Sequence, residues 1–282
     1  MRPKDFSLEA PAFPRRIRPP LKWAGSKYRI LDAICKVLPH GNRLVEPFVG
    51  SGAVFLNTEY ERYLINDVNK DLILFYKVLK KEGTDFIAYC AGLFTPGTNK
   101  EPVFYRLREE FNRVDDPVRK AALFLYVNKH GYNGLCRYNA AGEFNVPFGR
   151  YAEPYFPRKE MEYFLTKRNR LRIENDDFES IMRSAKKGDV IYCDPPYIPL
   201  SATSNFTAYS AGGFSETDQR RLALLAEETA GRGVPVLISN HRTEFTERIY
   251  KNAHICRFSV RRLISCNGSK REHADELLAL YP

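Results

Sequence analysis

Four consecutive residues, Asp194-Pro195-Pro196-Tyr197, close the apolar run Val190-Ile191-Tyr192-Cys193 and bring together groups with a definite chemistry. Two adjacent prolines donate no backbone hydrogen bond and cannot continue a helix or a central strand, so the run reads as a buried strand that stops at Asp194. In open α/β sheets that carboxyl edge is where ligands bind. A carboxylate, a bare carbonyl and an aromatic ring suit an amino group on a flat heterocycle. The Asp194 side chain and the Pro195 carbonyl can each accept one N–H of an exocyclic amine while Tyr197 covers the ring face. Such acceptors draw the nitrogen lone pair out of conjugation and aim it at an electrophile. Asp and Pro are also common at strand-end turns, and that is the competing reading of the tetrapeptide taken alone.

Three further segments carry candidate groups. Pro47-Phe48-Val49-Gly50-Ser51-Gly52 has a nucleotide-binding look, but it lacks the third glycine of G-x-G-x-x-G and any P-loop Lys-Ser/Thr, so a pyrophosphate is not the expected ligand. Gly50 and Gly52 still let the backbone approach a ligand closely. Asp67 ends the next expected strand, where an acid accepts hydrogen bonds from ribose hydroxyls; it could equally cap the helix beginning near Asn69. Leu21–Lys27 holds the single tryptophan, Trp23, beside a small-residue turn and between Lys22 and Lys27. Such a Trp can line a cofactor pocket, with a lysine holding a carboxylate, or cap the core where the N-terminal tail meets the domain. Lys129–Asn139 sets donors, acceptors and aromatics on a glycine-hinged loop. There Arg137 can bind guanine bidentately, an Asn (Asn133 or Asn139) can pair with a base, and Leu135 and a Tyr (Tyr132 or Tyr138) can wedge into a stack.

The elements that must position these groups follow from apolar period and punctuation. Ile30, Leu31, Ile34 and Leu38 predict a helix over Lys27–Leu38, ended by Pro39-His40-Gly41. Strand Arg43–Glu46, the glycine turn, a helix from Ala53 and strand Tyr63–Asp67 make the start of a Rossmann-like unit. Four helical stretches without a strand follow, at Asp71–Lys81, Thr84–Leu93, Val103–Asn112 and Pro117–Lys129, and predict an inserted helical domain. Gly131–Tyr151 comes next, with a hairpin turn at Asn139-Ala140-Ala141-Gly142. Alternation resumes with helix Lys159–Lys167, strand Leu171–Glu174, helix Phe178–Ala185 and the strand ending at Cys193. Ile198–Phe214 is long for an ordered loop and reads as a lid. Helix Ser215–Gly231, with Ser215 as N-cap and Asp218 at N3, leads to strand Val234–Ser239 and helix Thr243–Lys251. Two late strands, Ala253–Val260 and Glu276–Tyr281, complete a sheet of about seven strands whose last pair is expected to be antiparallel.

Composition bounds the rest. With 282 residues, 44% hydrophobic and 28% charged, the chain has the make-up of an ordinary globular protein with core enough for one large domain or a domain and an insertion. No apolar stretch approaches the roughly 20 residues that span a bilayer. Met1–Pro20 is rich in Pro and Arg without an apolar centre, so it reads as a basic tail rather than a secretory signal. The six cysteines are scattered, with no C-x-x-C pair and no metal-ligand spacing, which predicts a reducing cytoplasm and no metal. The net charge of +10 gathers in residues 1–29 and 255–271, as suits a polyanionic partner, although a solvated basic surface has the same signature.

Taken together and in order, Leu21–Lys27 (LKWAGSK), Glu46–Gly52 (EPFVGSG), Tyr132–Asn139 (YNGLCRYN), Glu143–Tyr151 (EFNVPFGRY) and Asp194–Tyr197 (DPPY) give a chain that resembles the DNA adenine N6-methyltransferase family of the Dam type. The resemblance runs from about Pro20 to the C-terminus. It implies an α/β fold in which a Rossmann-like methyltransferase domain (20–69 and 153–282) follows a basic tail (1–19) and carries an inserted helical target-recognition domain with its hairpin (70–152). It implies S-adenosyl-L-methionine as methyl donor, double-stranded DNA as partner, and methylation at N6 of a flipped adenine in GATC. Trp23, Lys27, Asp67 and Asp194 match cofactor-binding positions, alongside the turn glycines Gly50 and Gly52. Phe178, after Asp177, falls where the family often meets the cofactor's adenine. Asp194, Pro195 and Tyr197 match the catalytic pocket, and Lys22, Tyr132, Asn133, Leu135 and Arg137 the DNA contacts. Ser26 departs from the usual glycine, and its Cβ would alter a turn that needs positive φ. A cytoplasmic monomer is expected, with Cys193 a core residue rather than a nucleophile. The alternatives are an RNA or protein amino-methyltransferase, a catalytically idle DNA-binding module and a restriction-linked methylase.

Overall fold

The computed structural model describes residues 16–197, 214–261 and 273–282. Most of the expected basic tail, the loop expected as a lid (198–213), and Arg262, Lys270 and Arg271 of the second basic cluster lie outside the described residues.

In chain order the elements are α1 (Leu31–Val37), β1 (Arg43–Glu46), α2 (Ala53–Leu56), β2 (Arg62–Asn66), α3 (Lys70–Glu82), α4 (Thr84–Ala91), α5 (Glu101–Arg113), α6 (Pro117–His130), α7 (Arg158–Lys167), β3 (Leu171–Glu174), α8 (Phe178–Arg183), β4 (Asp189–Cys193), α9 (Glu216–Gly231), β5 (Val236–His241), α10 (Glu244–Ile249), β6 (His254–Arg261) and β7 (His273–Tyr281). The strands form one sheet of seven among the described residues, in the order β3-β2-β1-β4-β5-β7-β6. β1 to β5 run parallel, while β7 lies antiparallel between β5 and β6, as the late strands predict. This is the expected Rossmann-like α/β sheet. β1 pairs β2 on one side and β4 on the other, so the chain changes direction beside β1. The crevice that ligands use opens at such a switch point.

Period-2 alternation divides the core between the two faces. Leu44, Tyr63, Val190 and Tyr192 face one apolar cluster, and Val45, Leu64, Ile191 and Cys193 face the other. The first cluster continues into the helical segment through Phe75, Tyr76, Phe104, Phe111 and Phe124, so α3–α6 share a core with the sheet. Tyr76 stacks on Phe164 of α7 with centroids 5.6 Å apart. Cys193 is wholly buried, and burial pushes its thiol well up, away from a reactive thiolate.

Local signals read from the sequence hold closely. Ser215 and Asp218 form a reciprocal capping box at the start of α9. The Asn139–Gly142 turn is present: Asn139 N donates to Glu143 O and Gly142 N to Asn139 O, each at 2.9 Å. Its arms meet through isolated bridges, Tyr138 with Phe144 and Gly131 with Phe148, rather than continuous strands. Several boundaries shift by one to three residues, and two of the differences bear on the site. The expected helix Lys27–Leu38 splits into a 3-10 turn, Lys27–Arg29, and α1, because Ile30 sits at a non-helical φ of −107° and ψ of 14°. β5 ends at His241, two residues beyond the expected Ser239, because Asn240 and His241 stay in register with Leu277 and Glu276 of β7. That extension carries polar side chains to the ligand edge. Among the described residues no helix is long and apolar enough to cross a membrane, and no cluster of three His, Cys, Asp or Glu residues is placed to hold a metal ion.

Candidate active site

Asp194 leaves the carboxyl end of β4 and is held from two directions. Lys27 Nζ stands 2.8 Å from its Oδ1, and Ser239 Oγ, on the neighbouring strand, donates to the same oxygen at 3.2 Å. Ser239 Oγ also lies 2.9 Å from Tyr192 Oη and 3.4 Å from the Cys193 carbonyl. A hydroxyl has one proton to give, so Tyr192 Oη donating to Ser239 leaves the Ser239 proton for Asp194. Burial raises the Asp194 carboxyl above its ordinary range, and the Lys27 ammonium opposes the rise. The Lys27 side chain is only 6% exposed and also donates to Gly25 O at 2.8 Å. Two of the three N–H groups of its ammonium are thus taken by Asp194 and the turn.

Pro195 is buried and Tyr197 half-buried. The Lys27 ammonium sits 4.4 Å from the Tyr197 ring centroid, and the His241 ring packs against the same tyrosine at 4.1 Å and 59°. Tyr197 Oη donates to Glu276 Oε2 at 3.1 Å. Lys27 and Ser239, from two elements, therefore converge on the Asp194 carboxylate, and Tyr197 packs against the lysine.

The glycine turn lies next door. Gly50 and Gly52 take φ of +48° and +77°, the left-handed region that disfavours a side chain. A Cβ on Gly50 would come within 2.9 Å of Trp23 Nε1, so the turn is packed directly against the Trp23 indole. Gly50 N donates to Asp67 Oδ2 and Asn69 N to Asp67 Oδ1, both at 3.0 Å. Burial pushes the Asp67 carboxyl up to about 6, against the pull of these backbone donors. The cap of α3 is Asn69, whose side chain accepts from Asp71 N and Leu72 N, so the cap role open to Asp67 belongs to its neighbour. Glu46, at the end of β1, has a buried Oε1 with no hydrogen-bond partner among the described residues. Burial and the nearby Asp194 push the Glu46 carboxyl well up.

The departure at Ser26 is accommodated. Ser26 takes φ of −51°, and the positive φ of the turn, +76°, falls on Gly25. The added hydroxyl instead reaches Ser51 Oγ at 3.0 Å and ties the Trp23 segment to the glycine turn. Phe178 packs 5.2 Å from Phe48 of that turn and 5.7 Å from Phe214, with Arg221 over its ring at 4.4 Å. Asp177 caps α8 and pairs with Arg221.

The five residues matched to DNA contacts present themselves differently. Tyr132, Asn133 and Arg137 are exposed, and Asn133 holds φ of +52°. Arg137 Nε donates to Asn145 Oδ1 at 2.8 Å and Nη2 to Asn145 O at 3.3 Å, which fixes one edge of the guanidinium across the hairpin. Leu135 is half-buried against the core. Lys22 is folded in: its Nζ donates to Lys129 O at 3.2 Å and stands 3.7 Å over the Tyr151 ring. Its backbone N and O both pair with the Asn128 side-chain amide, at 2.9 and 2.8 Å. Burial lowers the Lys22 pKa and brings that of Lys129, also pressed by Lys22, to about 8.

Sequence reasoning overlooked Ser239, Glu46, Asn128 and Asn145. A signal existed for the first: Ser239-Asn240-His241 is a polar run ending an apolar strand at the same sheet edge as Asp194.

Residues 23–264 match the family of D12 class N6 adenine-specific DNA methyltransferases. The chain is 52% identical over 261 residues to the DNA adenine methylase of Salmonella typhi, covering 93% of this chain and 94% of that one. To the DNA adenine methylase of Escherichia coli it is 51% identical over 261 residues, with the same coverage. For that of Vibrio cholerae the identity is 49% over 262 residues, covering 93% and 95%. With the match spanning most of the sequence, the chain belongs to the D12 class of N6 adenine-specific DNA methyltransferases.

Proposed function

We propose that the chain methylates N6 of adenine in GATC duplexes with S-adenosyl-L-methionine as donor, acting on a base rotated out of the stack. One observation carries the reading. A carboxylate held by Lys27 and Ser239 stands at the end of β4, beside the glycine turn and Asp67 at the ends of β1 and β2. An acceptor pocket and a nucleoside-binding edge are thereby adjacent.

The donor set fits such a cofactor. Trp23, Gly50 and Gly52 would line it, Asp67 would accept from ribose hydroxyls, and Phe178 with Phe48 would offer apolar ring faces to its adenine. The orphaned Glu46 Oε1 suits a donor group brought in by a ligand. When bound, S-adenosyl-L-methionine supplies an electrophilic methyl on a sulfonium. Lys27 opposes the rise that burial imposes on the Asp194 carboxyl and holds it in place. Asp194 and the Pro195 carbonyl accept the two N6 hydrogens, which turns the lone pair outward. Much of the rate then comes from position. No nucleophilic side chain is required, in keeping with the inert, buried Cys193.

N6 cannot reach an enclosed donor from inside a duplex, so the base must leave the stack. The exposed Tyr132 and Asn133 would occupy the vacated space. Residues 70–152 would form the recognition unit, with Arg137 reading guanine O6 and N7 through the end of its guanidinium that Asn145 does not occupy. Methyl transfer to GATC duplexes compared with scrambled duplexes tests the reading; equal rates on both would remove the site preference, and no transfer to either would remove the function.

Two predictions belong here. Asp67 accepts from a ribose more strongly as a carboxylate, and burial pushes its carboxyl up to about 6. Affinity for S-adenosylhomocysteine should therefore fall as pH is lowered through about 6, by at most about tenfold per pH unit for one proton taken up. Calorimetry across that range would show it, and Asp67→Asn should flatten the profile. An unchanged slope in the variant would assign the titration elsewhere.

Arg137→Ala should relax sequence choice more than it weakens non-specific binding. A lost bidentate base contact costs about 1–3 kcal/mol of discrimination, whereas a lost phosphate contact weakens all sequences alike and lowers the salt slope by about one. Methylation of GATC and of sites altered at one base pair, with binding at several salt concentrations, separates the two. Uniform weakening with the lower slope would make Arg137 a phosphate anchor.

A further inference from the structure

The Asp194–Tyr197 segment is held a third time, from behind. Gln219, on α9, donates from Nε2 to the Pro196 carbonyl at 2.9 Å. Its Oε1 accepts from Asn240 Nδ2 and from Tyr250 Oη, both at 3.0 Å. Asn240 Nδ2 also lies 3.1 Å from Tyr250 Oη, and Asn240 Oδ1 accepts from His241 N at 2.8 Å. The three side chains come from α9, β5 and the residue after α10, and are 0%, 2% and 0% exposed.

Polar groups buried this deeply are costly unless every partner is met, and an apolar trio would fill the same space more simply. The network lies among Cys193, Leu222, Val236 and Ile238, an apolar setting with no need of amides for packing. Its outward bonds lead to the site. One fixes the Pro196 carbonyl, and another fixes the backbone of His241, whose ring supports Tyr197. Proline fixes φ at both 195 and 196, so the segment's remaining freedom lies in ψ. Lys27 and Ser239 anchor its Asp194 end, and Gln219 anchors the Pro196 end.

We propose that Gln219, braced by Asn240 and Tyr250, is a positioning residue that sets the direction of the Pro195 carbonyl toward the amino group Asp194 also accepts. This rests on the reading of Asp194–Tyr197 as the acceptor pocket. Gln219 touches no reacting atom and acts through the Pro196 peptide.

Gln219→Met keeps the length of the side chain and removes all three bonds. Tyr250→Phe removes one brace and leaves the bond to Pro196. Single-turnover methyl transfer to a GATC duplex, duplex affinity and S-adenosylhomocysteine affinity would be measured for each, beside the thermal melt. For Gln219→Met the transfer rate should fall on the order of 10- to 100-fold, with both affinities within about twofold of wild type. Tyr250→Phe should lie between the two. Wild-type transfer by Gln219→Met would overturn the proposal, as would rate and affinities falling together with the melt, the mark of a purely structural role. Should Gln219→Met not fold, Tyr250→Phe decides: slowed transfer with intact binding supports the proposal and unslowed transfer overturns it. Failure of the underlying reading shows separately, as a wild-type protein that transfers no methyl group to adenine duplexes before any variant is compared.

Discussion

Replacing Asp194 by Ala is expected to abolish methyl transfer while leaving duplex binding largely intact. The carboxylate lies at the end of β4 paired with Lys27, whereas Arg137, proposed to read the site, is exposed on the hairpin. Its loss removes one of the two acceptors proposed for N6 and leaves Lys27 with no carboxylate to pair. A preorganised acceptor of this kind is worth on the order of 10²-fold or more in rate. Single-turnover methylation and a duplex-binding titration on the same preparation would separate chemistry from association. Near-wild-type turnover would end the assignment of Asp194, and a collapse of duplex binding with the rate would point to misfolding of the pocket.

The second large effect should come from the other half of the pair. Lys27→Met removes the ammonium from a buried ion pair, a change that costs about 3–5 kcal/mol when the remaining charge is fully enclosed. Asp194, 21% exposed, keeps some access to water, so the loss should fall toward the lower end of that range. The sign of the pH effect follows from the same contact. Burial raises the Asp194 carboxyl and Lys27 holds it down, so without Lys27 it rises further. Only the carboxylate accepts from both directions, so transfer by the variant should be weakest at neutral and acidic pH and recover in part as pH increases. Wild type, in which Lys27 opposes the shift, should show the corresponding rise at lower pH. Single-turnover rates across the range would display the displacement. A constant ratio of variant to wild type at every pH would sink the idea that Lys27 acts through Asp194 and would leave it a role in cofactor binding alone.

Much of this architecture could be read from local signals. The strand, glycine turn, helix, strand and acid from Arg43 to Asp67 follow from period and punctuation. So do α3 to α6, the capping box at Ser215 and the turn at Asn139–Gly142. Each is decided by residues within a few positions of one another: a proline that ends a strand, a glycine that takes positive φ, a side chain that reaches its own backbone. Asp194-Pro195-Pro196-Tyr197 belongs with these, since its prolines announce both the end of the strand and a carbonyl without a ladder partner.

Other assignments were open until the chain folded. Asp67 and Asn69 are both good caps, and only the position of Gly50 N, brought across from the β1 turn, draws Asp67 to the ligand edge and leaves the cap to Asn69. At Ser26 the outcome depended on which of two neighbours took the positive φ, and Gly25 did. Lys27 carries no sign of its partner in its own neighbourhood, because Asp194 arrives from a strand far along the chain.

The sequence by itself determined the α/β class, the element order and the chemistry available at each strand end, because these depend on side-chain type, period and turn residues. Tertiary structure decided which groups act together. A parallel sheet places the carboxyl ends of β1, β2, β4 and β5 side by side, although long stretches of chain separate them. Periodicity says which face a residue points to but not which strand will lie next to it. Ser239 beside Asp194 and Gln219 behind Pro196 therefore became visible only when the strands and α9 were packed.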